Sequence, residues 1–130
     1  MLKTVFKILV ISIAVFSLVT CDNYEFPKSP YPRIETLPVI NISKTGVTFQ
    51  ANITQQAKLP IINHGFVWGR TGNPTINSQD KVQLGSTSKL GNFEVDIKSG
   101  LYENETYFVK AFVATSDYFV YGKAVSFKSK

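Results

Sequence analysis

The chain has 130 residues, of which 18% are charged and 13% aromatic. That length suits one modest domain, and the composition is too apolar for a disordered chain. Lysine and arginine number 14 against 9 acidic residues, scattered rather than clustered, so no electrostatic footprint for nucleic acid is present, and the single cysteine excludes an intrachain disulfide or a cysteine-based zinc site.

In chain order, Met1 to Lys7 is short and basic, and Ile8 to Val19 is apolar apart from Ser12 and Ser17. The run falls short of the roughly 20 residues a membrane span needs, so it predicts an export signal. It ends at Leu18-Val19-Thr20-Cys21, with Thr20 where Gly, Ala or Ser is usual. This boundary resembles a bacterial lipoprotein signal, cut before a cysteine whose thiol carries diacylglycerol. The resemblance implies a signal peptide over 1–20, lipidation at Cys21 and anchoring to a membrane. Residues 21–33 then hold Pro27, Pro30 and Pro32, which restrict the backbone and predict an extended tether. Its aromatics Tyr24, Phe26 and Tyr31 are expected to fold back on the domain, with a membrane interface or a partner as the other possibilities.

From Ile34 to Lys130 the pattern is period two, broken by turns. Leu37 to Ile42 predicts a first strand, confined to an edge by Pro38. Val47 to Thr54 alternates fully, with Val47, Phe49, Ala51 and Ile53 inward. Ile61 to Gly69 predicts the third strand, and Lys81 to Leu84 a short fourth with Val82 and Leu84 inward. Asn92 to Lys98 is the fifth, with Phe93, Val95 and Ile97 inward. The sixth enters at Tyr107, directing Tyr107, Val109, Ala111 and Val113 one way and Phe108, Lys110 and Phe112 the other. Tyr118 to Lys128 predicts one last strand, with a bulge at Gly122 and no further domain after it. The whole predicts an all-β, seven-stranded antiparallel sandwich. Leu101 plugs the polar approach to Tyr107, whose hydroxyl is expected to bond backbone a few residues upstream as a tyrosine corner.

Several stretches then carry a resemblance. They are Leu101-x4-Thr106-Tyr107-x-Val109-x-Ala111; Gly65-Phe-Val-Trp-Gly69 followed by Asn73-Pro-Thr75; Gly91-Asn-Phe93 with Ile97; and Val120-Tyr-Gly122 leading to Val125-Ser-Phe127. Together they resemble the fibronectin type III-like domain, an immunoglobulin-like sandwich, of Bacteroidetes cell-envelope lipoproteins. The resemblance covers 34–130 and implies a spacer or binding module with no catalytic residues and no cofactor. It departs from the family at Glu103-Asn104-Glu105, where Pro-Gly is frequent.

The residues support no enzyme motif. His64 is the only histidine; Asp80, Asp96 and Asp117 are scattered in sequence, and no metal or nucleophile motif surrounds them. His64 and Trp68 share parity with Phe66, so both are expected in or near the core. Phe108 and Phe112 flank Lys110 on a face that is normally polar, and Tyr118, Phe119 and Tyr121 extend it. This set is either a partner-binding surface or a face covered by a loop or the tether. If it is a binding surface, Phe108→Ser with Phe112→Ser spares the fold and removes capture. The expected protein is thus a lipid-anchored outer-membrane lipoprotein of the cell envelope. It binds glycan or protein without catalysis, or serves as an accessory subunit of an envelope complex.

Overall fold

The computed structural model describes residues 29–130. The signal expected over 1–20, the lipidation site Cys21 and the tether as far as Lys28 lie outside them. Eight strands form: β1 (Arg33–Ser43), β2 (Gly46–Gln55), β3 (Asn63–Gly69), β4 (Asp80–Gln83), β5 (Gly91–Ile97), β6 (Thr106–Ala114), β7 (Phe119–Tyr121) and β8 (Val125–Lys128). They make two antiparallel sheets. One has the order β1-β2-β5; the other has β4-β3-β6-β7, with β8 also paired to β6.

The core lies between the sheets and follows from the alternation. Val47, Phe49, Ala51 and Ile53 of β2 are buried against Phe66 and Trp68 of β3 and against Tyr107, Val109, Ala111 and Val113 of β6. Phe49 sits at the centre, its ring 5.6 Å from Phe66, 5.2 Å from Trp68 and 5.6 Å from Phe127. Each such side chain contributes on the order of 1.5–3 kcal/mol through burial alone. The register keeps apolar residues opposite one another: Phe49 pairs with Val95 and Ala51 with Phe93. Thr48 points the other way yet is also buried, because its hydroxyl donates to Asp96 Oδ1 at 2.7 Å. Trp68 joins the core as expected, but its Nε1–H finds no acceptor among the described residues.

Three expectations need correction. The described residues form eight strands, because the expected strand from Tyr118 to Lys128 is broken in two. β7 pairs with β6 over Phe112 to Ala114, and β8 pairs with it over Thr106 to Val109. The cause lies at Gly122, where a Cβ would collide with Thr36 Oγ1. Edge strand β1 reaches across to the other sheet there. Thr36 Oγ1 accepts the Ala111 N–H at 3.0 Å, while the Gly122 N–H donates to Ala111 O at 2.9 Å. A side-chain oxygen therefore satisfies a backbone donor that a continuous strand would have paired. Leu84 is exposed rather than inward, because β4 already ends at Gln83. The first strand starts at Arg33, earlier than expected; Pro38 falls at a register shift between Leu37 and Ile40, where a missing N–H is tolerated.

Candidate functional site

The strands place the sequence-predicted surface residues in two different settings. On β6, Phe108, Lys110 and Phe112 face away from the core, as the parity of Tyr107, Val109 and Ala111 requires. The pairing sets Gly65 and Tyr121 on either side of Phe112, and Val67 beside Lys110. This face is covered. Phe112 is 0% exposed, with the ring of Phe119 stacked on it at 5.1 Å and 19°. The 70–79 loop folds back over the same face. The Ile76 N–H donates to Tyr121 Oη at 2.9 Å, Lys110 Nζ donates to Asn73 Oδ1, and Pro74 is fully buried. Lys110 Nζ also lies 5.4 Å above the Tyr121 ring. Phe112 is thus a packed residue and not an open contact, which corrects its place in the expected surface. Phe108, Lys110 and Tyr121 are half-buried around it.

Tyr118 belongs elsewhere. It lies in the β6–β7 turn at the end of the sandwich, exposed, with the Tyr31 ring against it edge-on at 6.0 Å. The tether from Ser29 on therefore folds back on the domain, as expected for Tyr31; Tyr24 and Phe26 lie outside the described residues.

The opposite end carries a site that parity arguments missed. Tyr107 Oη accepts the Tyr102 N–H at 2.9 Å, so the tyrosine corner forms as expected, and Leu101 packs against the core beneath it. Ser129 Oγ donates to the Tyr102 carbonyl, and the Ser129 N–H donates to Glu105 O at 3.0 Å. Held at both its N–H and its carbonyl, Tyr102 directs its side chain into solvent, where it is 67% exposed. The Arg70 guanidinium, just past the end of β3, lies 5.2 Å from the centre of that ring. Arg70, Gln79, Asp80, Gly100, Leu101, Tyr102 and Tyr107 line a cleft of about 470 Å³. It offers an aromatic face, a cation, a carboxylate and an amide within one concavity, the mixture that small recognition sites use. The available signal was the corner itself: the residue following the plug must donate its N–H inward and turn its side chain out.

His64 is buried beside the core, its Nδ1 2.7 Å from Gly85 O and its ring edge-on to Phe93 at 4.9 Å. Because the carbonyl only accepts, Nδ1 carries the proton. Among the described residues, no group of three or more His, Cys, Asp or Glu side chains converges to hold a metal ion.

Comparison with solved structures shows a likeness of fold to several chains. The sensor domain of the anti-sigma factor RsgI4 from Pseudobacteroides cellulosolvens superposes with a TM-score of 0.56 at 22% identity, covering 78% of this chain and 95% of that one. Neither a scan of protein-family models nor a search of curated proteins finds a match. What the chain shares with the solved structure is the β-sandwich.

Proposed function

We propose that this protein is a non-catalytic binding module of the bacterial cell envelope, anchored to the outer membrane by lipid on Cys21, which holds a glycan or protein partner in the cleft beside Tyr102. The observation that carries the reading is the paired exposure of Tyr102 and Arg70 over that cleft. An exposed tyrosine with only two side-chain torsions, on a backbone held by its own hydrogen bonds, stacks on a sugar face or anchors a protein contact at little entropic cost. Gln79 and Asp80 supply polar partners for hydroxyls or amides. A sensor domain among similar folds supports a recognition role. The Tyr102–Tyr107 corner bond and the division into a three-strand sheet and a wider one support the fibronectin type III-like reading.

The test is capture by the intact lipidated chain of glycans from an array and of proteins from envelope extracts. Tyr102→Ala and Arg70→Ala leave the backbone bonds of the corner in place. Each is expected to reduce capture at least tenfold without changing the melting temperature by more than a few degrees. Retained capture in both variants would remove the cleft as the site. Stable co-purification with one large partner after detergent extraction would favour the accessory-subunit role.

A further inference from the structure

Six of the eight large apolar side chains exposed among the described residues lie at one end of the sandwich: Tyr31, Ile62, Leu84, Leu90, Tyr118 and Phe119. The pairing places them together. Arg33 at the start of β1 faces Gln55 at the end of β2, and Gly91, next to Leu90, faces Ile53. The Ile62 N–H donates to Ala114 O at 2.8 Å, the Leu84 N–H to His64 O at 2.8 Å, and Phe119 pairs with Ala114. Tyr31 meets Tyr118 directly. The remaining two are Tyr102, which the cleft uses, and Ile40, in the half of β1 towards the other end.

We infer that this end seats on the lipid bilayer. The inference rests on the anchoring of Cys21 proposed above. The chain enters the domain at this same end, and the eight residue-to-residue steps from Cys21 to Ser29 span at most about 29 Å when fully extended. A lipid on Cys21 therefore keeps this end at high effective concentration next to the membrane surface. Tyrosines are at home at the headgroup level, and the exposed leucine and isoleucine side chains add apolar area just below it. Arg33, Lys58 and Lys89 are exposed at this end against Glu35 on β1 and Asp117 in its loops, a small cationic excess that favours contact with anionic headgroups. Cations also occur at the far end, so charge alone chooses neither; the apolar side chains and the point of chain entry decide. The arrangement turns the Tyr102 cleft away from the bilayer.

The experiment uses the full chain carrying Trp68→Phe, so that one introduced tryptophan reports alone. It is placed at the near end by Tyr118→Trp or at the far end by Thr45→Trp. Each protein is reconstituted in vesicles of phosphatidylethanolamine and phosphatidylglycerol containing a brominated phosphatidylcholine, which quenches nearby indoles. The expected result is at least twofold stronger quenching at position 118 than at 45, with the difference lost when Ile62→Ser and Leu90→Ser are added. Equal quenching at the two positions, or stronger quenching at 45, overturns the inference. Intact mass separates the two readings. If Cys21 carries no acyl chain, the anchoring proposal falls, and the same protein is added to preformed vesicles. Quenching at 118 then still supports the seat, and its absence overturns it.

Discussion

The hydroxyl of Tyr107 and the backbone N–H of Tyr102 lie 2.9 Å apart, with Tyr102 donating. This bond closes the loop between the two sheets and holds the Tyr102 backbone with its side chain on the solvent side. Tyr107→Phe keeps the stacking on Phe127, at 5.6 Å and 18°, and removes only the acceptor. The expected cost is about 1–2 kcal/mol, because a partly buried donor loses its partner. Urea denaturation measures it, and an unchanged midpoint would mean that water replaces the bond without loss.

Asn104 in the same corner has φ +60°, the left-handed region that glycine occupies most freely. The turn through Glu103-Asn104-Glu105 is therefore accommodated by Asn, the non-glycine residue that best tolerates that conformation. Asn104→Gly is expected to be within about 0.5 kcal/mol of the parent, and Asn104→Ala to lose roughly 1 kcal/mol. Equal melting temperatures for the Gly and Ala variants would count against the conformation.

Phe112 is fully buried while Phe108 on the same face is half-exposed. Phe112→Ser is expected to cost more than about 3 kcal/mol, a large part of a typical domain's total stability. Phe108→Ser is expected to cost about 1 kcal/mol. Thermal unfolding of the two single variants separates them. The paired serine substitution suggested by parity would confuse loss of folding with loss of binding.

Trp68 tests the price of an unpaired donor. Trp68→Phe loses roughly 1 kcal/mol of burial and relieves an unsatisfied N–H whose desolvation costs about 1–3 kcal/mol. The two effects oppose, so the net change is expected between about zero and a gain of about 2 kcal/mol, whereas Trp68→Ala loses about 3–5 kcal/mol. A loss of 3 kcal/mol or more in Trp68→Phe would show that the indole N–H has a partner in solution.

Period-two alternation made the core legible, because β2, β5 and β6 each bury one parity against the opposing sheet. The corner was legible for a similar reason: a tyrosine entering a strand after a polar loop needs a partner for its hydroxyl. What alternation could not show is what lies above the outward parity. Phe108 and Phe112 share a face in sequence, yet Phe119 and the 70–79 loop cover one more than the other, and that depends on contacts far apart in the chain. The break at Gly122 was hidden likewise, since its cause, Thr36, lies in a different sheet. Tyr102 and Arg70 meet through the fold of two loops, and neither belongs to an alternating run.

The bond from Ala111 to Thr36 has a mechanical consequence. β1 follows directly on the tether and runs towards the end that holds the Tyr102 cleft. In a chain anchored as proposed, tension between the membrane and a gripped partner acts along the strand axes. Ladder bonds lie across that axis, so the pull loads the β1–β2 pairs in shear and must break them together. The Thr36 oxygen ties the first strand to the second sheet as well, so the strand nearest the anchor, an edge strand of its own sheet, is secured on both sides.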